Sequence, residues 1–125
     1  MRLPRLSKLE LQIMDALWSR GASSVREIQE AFPEKGRPAY TTVQTMLNIL
    51  VRKGKLTRKM RGRAFEYAAI VTEAKASSHA VRDLVDRMFG GSAEDLVMSL
   101  IKSRQIDPKK LAKLGKRLKE EERDA

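Results

Sequence analysis

The hydrophobic pattern of the chain changes its period at Gly54 and changes back near Thr72. Before Gly54, apolar residues recur every three or four positions, as in amphipathic helices. Residues 56–60 and 64–68 instead alternate as strands do, around a short basic turn. After Thr72 the helical period returns. This order predicts a mainly α protein with a small β-hairpin wing, in which a winged helix-turn-helix domain is followed by further helices.

Capping signals support the first helices of this order. Ser7 with Glu10, and Ser24 with Glu27, have the spacing of a capping box, in which each side chain bonds to the other residue's backbone N–H. They predict two helices that begin at these serines. A third helix is predicted over residues 40–53, where Gly54 ends it.

The pattern divides the chain into a winged helix-turn-helix DNA-binding domain at residues 1–71 and a helical dimerisation region with a charged tail at residues 72–125. A length of 125 residues suits one compact domain with an appended element. Leu111, Leu114 and Leu118 of the last helix could form part of the core of one subunit or a seam between two, and their narrow stripe favours the seam. The residues predicted for dimerisation are Val81, Leu84, Val85, Met88, Phe89, Leu96, Val97, Leu100, Leu111, Leu114 and Leu118.

The charge of the chain indicates a polyanionic partner. Its formal net charge is +10, and residues 35–63 carry nine Lys or Arg residues and no acidic residue. An acidic membrane surface fits poorly, because these cations do not line a helix with a large apolar face. RNA also fits poorly, because RNA modules stack bases on exposed aromatics, whereas Phe65 and Tyr67 are expected to cover the first helix. Double-stranded DNA remains the favoured partner.

The third predicted helix has one apolar face and one face of small, mostly uncharged hydrogen-bonding side chains. Such side chains can read adenine, meet a thymine methyl group or grip guanine and phosphate, so the helix is expected to lie in a major groove. The basic hairpin is expected to follow the sugar-phosphate backbone. The predicted DNA-binding residues of the helix and hairpin are Thr41, Thr42, Gln44, Thr45, Asn48, Arg52, Arg58, Lys59, Arg61 and Arg63.

Catalytic and metal chemistry find little support in the sequence. The chain has no cysteine, which excludes a disulfide, a thiolate metal site and a cysteine nucleophile. Its single histidine, His79, is expected to face solvent and makes a poor transition-metal site. No stretch approaches the roughly 20 apolar residues of a membrane span. We therefore expect a cytoplasmic non-enzyme with no cofactor and no metal, which is not a membrane protein.

Four segments, in order, resemble the penicillinase and methicillin-resistance repressor family. Residues 9–14 (LELQIM) are similar to that family's first helix, and residues 39–47 (AYTTVQTML) to its recognition helix. Residues 63–67 (RAFEY) resemble its wing, and residues 88–92 (MFGGS) the join between its last two dimerisation helices. The resemblance covers roughly residues 6–118.

This resemblance implies a homodimeric repressor that binds dyad operators, often with TACA and TGTA half-sites. It also implies a partner, a membrane sensor metalloprotease that triggers cleavage of the repressor when a β-lactam is detected. Staphylococcal members are cut at an Asn-Phe bond in the penultimate helix, and the matching positions here are Ser99 and Leu100. A copper-responsive branch uses a cysteine cluster, which this chain lacks.

Two functional hypotheses follow from the sequence. The first is a sequence-specific dimeric repressor that occludes a promoter. The alternative is an architectural or non-specific nucleic-acid-binding protein with the same winged fold, and a basic protein-protein adaptor is a third reading. The uncharged polar face of the third helix favours the repressor, because a non-specific binder needs only lysines and arginines.

Overall fold

The computed structural model describes residues 6–124, and its helices and strands follow the predicted order. The elements within that range are α1 (Lys8–Arg20), α2 (Val25–Glu30), α3 (Tyr40–Arg52), β1 (Leu56–Arg61), β2 (Ala64–Ala69), α4 (Glu73–Met88), α5 (Ala93–Lys102) and α6 (Pro108–Asp124).

Both predicted capping boxes are confirmed. The Ser7 hydroxyl accepts the Glu10 backbone N–H at 3.2 Å, and the Glu10 carboxylate accepts the Ser7 N–H at 2.9 Å. Ser24 and Glu27 exchange the same pair of hydrogen bonds at 3.2 and 3.0 Å. These bonds satisfy backbone donors that a helix start otherwise leaves unpaired, and so they define where α1 and α2 begin.

The core lies where α1, α2 and α3 meet the strands. α3 packs against both earlier helices and against β1, while α1 also contacts β2. Aliphatic side chains do most of the packing, and within residues 6–124 Tyr67 is the one aromatic residue that is fully buried. The buried hydrophobic residues are Ile13, Met14, Leu17, Val25, Ile28, Val43, Leu47, Leu50, Leu56 and Tyr67.

The two strands form an antiparallel hairpin, called the wing below (residues 56–69). Their register pairs Leu56 with Ala69 at the base and Arg61 with Ala64 at the tip. Gly62 has φ 68°, a left-handed conformation that favours glycine at the first position of a two-residue hairpin turn. At the outer edge of the wing, Tyr67 of β2 exchanges two backbone hydrogen bonds with Ser23, of 2.9 and 2.8 Å. These bonds connect the wing to the segment between α1 and α2.

The chain forms two compact units, Met1–Ala80 and Val81–Ala125, and the division falls within α4. The domain boundary expected between residues 71 and 72 stays a prediction. All fully buried side chains of the described residues belong to the first unit. No described helix combines the length and apolar character needed to cross a membrane.

The helices of the second unit have capping hydrogen bonds at their starts but few buried side chains. The Ser92 hydroxyl accepts the Asp95 N–H at 3.1 Å at the start of α5, and the Asp107 carboxylate accepts the Lys110 N–H at 2.7 Å at the start of α6. Within the described part of the chain, no side chain of α4, α5 or α6 is fully buried. Local signals therefore specify these helices, while their apolar faces stay largely uncovered.

Candidate nucleic-acid interface

Helix α3 has the two faces that its sequence predicts. Val43, Leu47 and Leu50 are fully buried against the other helices and the wing. The opposite side carries Thr41, Thr42, Gln44, Thr45 and Arg52, all of them exposed. Thus the hydrogen-bonding face is presented to solvent on a helix that its own core contacts hold in place.

The exposed side chains of α3 differ in what they can offer a base. The Thr45 hydroxyl donates its proton to the Thr41 carbonyl at 2.9 Å, so Thr45 can offer a groove its methyl group and an acceptor but no donor. The amide of Gln44 makes no hydrogen bond with any described residue, so both its donor and its acceptor are available. Gln44 therefore keeps the pair of groups that adenine recognition requires.

Asn48 is half-buried, and it is tied to the wing. Its Oδ1 accepts a hydrogen bond from Arg58 Nη1 at 3.0 Å and a second from the Tyr67 hydroxyl at 3.3 Å. The Arg58 guanidinium also lies over the ring of Phe65, with Cζ 4.4 Å from the ring centroid. The ring centroids of Phe65 and Tyr67 are 6.5 Å apart. The four side chains Asn48, Arg58, Phe65 and Tyr67 therefore form one cluster, called the helix–wing cluster below.

The sequence does not predict the helix–wing cluster. Tyr67 is buried as expected, whereas Phe65 is 39% exposed and lies against Arg58, and the DNA-binding role of Asn48 stays a prediction. One signal was present in the sequence. A two-residue turn at Gly62 places Arg58 directly opposite Tyr67, and side chains opposite each other in a ladder lie on the same face of the hairpin.

Several cations of the basic segment, residues 35–63, bond to other groups of the protein or are buried in it. Arg37 donates to the Phe32 carbonyl at 2.7 Å and to the carbonyl of Glu30, the last residue of α2, at 3.4 Å. Arg61 pairs with Glu66 at 3.0 Å on the outer face of the wing. Lys55 is 5% exposed, and desolvation lowers the pKa of its ammonium group, as does nearby Lys53.

Four exposed cations of residues 35–63 lack such contacts. Within the described chain, no hydrogen bond or ion pair engages the side chains of this set. They lie in the loop before α3, in its last turn, in the middle of the wing and at its tip. The set is Lys35, Arg52, Lys59 and Arg63.

Lys53 holds the end of α3 against the start of α1. Its Nζ lies 2.8 Å from Glu10 Oε2, and the Glu10 residue is 4% exposed. Burial acts to raise the pKa of the Glu10 carboxyl, but the hydrogen bonds from Lys53 and Ser7 outweigh burial and bring the pKa below its ordinary value. The pair therefore fixes the orientation of the polar face relative to the rest of the core.

The predicted dimerisation residues lie on α4, α5 and α6 or, for Phe89, directly after α4. Val81, Leu84, Met88, Leu114 and Leu118 are exposed, with Met88 at 70% and Leu118 at 58%. The other six are half-buried: Val85, Phe89, Leu96, Val97, Leu100 and Leu111.

Ser99 and Leu100, the positions matched to the family's cleavage site, lie in the last turns of α5. The Ser99 carbonyl accepts the Ser103 backbone N–H at 2.9 Å, so the bond between these residues is part of a closed helix. His79 is half-buried, where the sequence predicts a solvent-facing side chain. The described residues contain no group of three or more metal-ligating side chains that could hold a metal ion.

Residues 6–120 match the family model described as penicillinase repressor. The chain belongs to the penicillinase repressor family. The match runs from the residue before the first capping box into α6, so it includes both units. It confirms the resemblance that the four sequence segments indicate.

Named members of the penicillinase repressor family resemble this chain in sequence and in structure. The penicillinase repressor of Bacillus licheniformis is 24% identical over 119 residues, which cover 95% of this chain and 93% of that protein. The solved DNA-binding domain of the repressor BlaI aligns with a TM-score of 0.52 and 29% identity, over 60% of this chain and 93% of that one.

A second solved structure that resembles this chain is a complex with an operator half-site. The monomeric form of Bacillus licheniformis BlaI, in complex with the blaP half-operator, aligns with a TM-score of 0.50 and 28% identity, over 59% of this chain and 90% of that one. The three helices and the hairpin of the first unit are accordingly a winged helix-turn-helix, as the sequence predicts.

Proposed function

We propose that this protein is a homodimeric, sequence-specific DNA-binding repressor that occludes a promoter at a dyad operator. The observation that carries the proposal is the exposed polar face of α3, in which Gln44 keeps both its donor and its acceptor. Arg52 lies exposed in the last turn of the same helix, and Lys59 and Arg63 are exposed on the wing. Base-reading groups together with phosphate-binding cations are what a helix in a major groove needs.

The relatives support the same function. A family member of similar fold has been solved on a half-operator as a monomer, so in that protein one copy engages half of a site. A second copy of this chain, related by a two-fold axis, would present a second α3 about one helical turn of DNA away or a multiple of it. The protein would then work in the cytoplasm, where promoter DNA lies.

Dimerisation is proposed on the apolar faces of α4, α5 and α6. These helices have no fully buried side chain among the described residues, while Val81 is 51% exposed and Met88 is 70% exposed. Covering those faces removes apolar area from water, at about 25 cal/mol for each Å². A second copy offers the matching surface, as a two-fold interface requires.

The test is selection from a random duplex DNA pool by the full chain at physiological salt, because low salt strengthens non-specific binding. We expect a dyad-symmetric motif. The matched control carries Gln44→Ala with Thr45→Ala, which removes base-reading groups and keeps every cation. It should bind DNA but recover no motif or a degraded one. Binding without any motif from the unaltered chain would instead establish the architectural alternative.

Release from DNA through a membrane sensor protease is proposed on the family resemblance. The bond between Ser99 and Leu100 lies in a helix, so at least one turn of α5 must open before a protease can act there. Intact-mass measurement of the protein from cells exposed to a β-lactam tests the proposal. A fragment ending at Ser99 is expected, and an uncut chain under full derepression would refute it.

A further inference from the structure

We propose that Asn48 is a specificity-determining residue that offers DNA hydrogen-bond donors alone, because the wing occupies its acceptor. The proposal rests on the DNA-binding function proposed above. It assigns Arg58 a positioning role that acts through Asn48, in addition to any phosphate contact that a wing cation makes.

The orientation of the Asn48 amide follows from the chemistry of its neighbours. A guanidinium has donors and no acceptor, so the amide atom that faces Arg58 must be the oxygen. Arg58 Nη1 lies 3.0 Å from Oδ1, and the Tyr67 hydroxyl lies 3.3 Å from the same atom. A carbonyl oxygen has two lone pairs, and two donors already use them. The amide nitrogen makes no hydrogen bond with the described residues, so both of its protons are available.

The groups that occupy Oδ1 are themselves held in place. Tyr67 is 1% exposed, its backbone N–H and carbonyl both bond to Ser23, and it lies directly opposite Arg58 of β1 in the hairpin register. Arg58 is exposed, but the Phe65 ring 4.4 Å from its Cζ limits where the guanidinium can move. Hence the acceptor of Asn48 is engaged by a supported pair of donors, and freeing it requires breaking up the helix–wing cluster.

This arrangement changes what Asn48 can read. Bidentate recognition of adenine requires an acceptor for the amino group at N6 together with a donor for N7. Asn48 supplies donors without the acceptor, so it suits a base edge that presents acceptors, such as O6 and N7 of guanine or O4 of thymine. Gln44, whose amide has no partner among the described residues, retains the adenine pattern. Two amide side chains on one helix thus have different base preferences.

Three variants of the full chain test the proposal in the random-pool selection, followed by affinity measurements on the recovered site and its single-base changes. Asn48→Ala identifies the base position that Asn48 contacts, since that position should lose its preference. Arg58→Met keeps an unbranched stem over Phe65 but removes the donor to Oδ1. Lys59→Met is the matched control, because it removes the neighbouring wing cation from the opposite face of the hairpin.

The unaltered chain should prefer guanine or thymine over adenine at the Asn48 position. Arg58→Met should raise the relative affinity for adenine there by roughly fivefold or more, since a bidentate pair is worth about 1–3 kcal/mol. Lys59→Met should weaken all sites alike and leave the base preference unchanged.

The possible failures are distinguishable. If the unaltered chain recovers no motif, the repressor function itself is wrong. If a motif is recovered but Asn48→Ala alters no position, or Arg58→Met shows the unaltered preference, the role of Asn48 is refuted while the repressor function stands.

Discussion

Lys53, the residue that follows the last turn of α3, donates from Nζ to both carboxylate oxygens of Glu10 in the first turn of α1, at 3.1 and 2.8 Å. The same carboxylate completes the capping box of α1 through Ser7. A single buried carboxylate therefore takes part in the cap that begins α1 and in a contact with the residue that follows α3. It joins the N-terminal end of α1 to the C-terminal end of α3.

Acidification should weaken the fold through this carboxylate. The pKa of Glu10 in the folded protein lies below its ordinary value of 4.5. Its contribution to stability is therefore complete above pH 4.5 and is lost as the pH falls through the lower, folded value. We expect the free energy of unfolding, measured by urea denaturation, to decrease in this range. Glu10→Gln should lower it by roughly 1–3 kcal/mol at neutral pH and flatten the acid dependence.

The matched control for Glu10→Gln is Glu27→Gln. Glu27 completes the capping box of α2, but it is exposed. Among the described residues, no lysine donates a hydrogen bond to its carboxylate. Its replacement should cost less stability. Equal losses for the two variants would show that the Lys53 pair contributes nothing beyond the cap.

Gln44→Ala should reduce affinity for the selected operator by roughly 1–3 kcal/mol and relax the preference at one base position. The physical reason is the free amide of Gln44 at the centre of the polar face of α3. Titration of the operator and its single-base variants at one salt concentration measures both effects. Uniform weakening across all duplexes would assign Gln44 to phosphate contact instead.

The two arginines at the wing tip should differ in their salt dependence. Arg63 is exposed in the turn, whereas Arg61 is already paired with Glu66 at 3.0 Å. Arg63→Ala should therefore reduce the slope of log affinity against log salt by about 0.9, the value for one lost phosphate contact. Arg61→Ala should change that slope less. Equal changes would mean that the Glu66 pair opens when DNA binds.

A chain that ends at Ala80 should fold as a monomer and bind a dyad site far more weakly than the full chain does. It keeps every fully buried side chain of the described residues and removes most of the exposed apolar surface of α4 to α6. Sedimentation velocity gives the oligomeric state, and operator titration gives the affinity. A truncated chain that still sediments as a dimer would contradict the role proposed for α4 to α6.

Features that depend on neighbours in the chain were predictable from the sequence. The capping boxes at Ser7 and Ser24 confirm this, because each involves residues three positions apart. The two faces of α3 follow from helical periodicity, and the turn at Gly62 follows from the conformational freedom of glycine. In each case the physical cause lies within one element or one turn.

Pairings between distant residues were not predictable in the same way. Nothing in the spacing of Asn48 and Tyr67, or of Glu10 and Lys53, indicates that they meet, since each contact depends on how whole elements pack. A run of like charges is read from the sequence as one surface. Packing separates it into cations that face solvent and others, such as Arg37, that bind the protein's own backbone.

In the proposed dimer, the order of helices α4 to α6 would depend on how much protein is present. Because none of their described side chains is fully buried, much of the free energy that orders them would come from association of the two copies. Dilution would then disorder these helices and, at the same time, separate the two DNA-binding units of the dimer. Operator occupancy would rise more steeply than the first power of protomer concentration, so a modest loss of repressor would switch the promoter sharply.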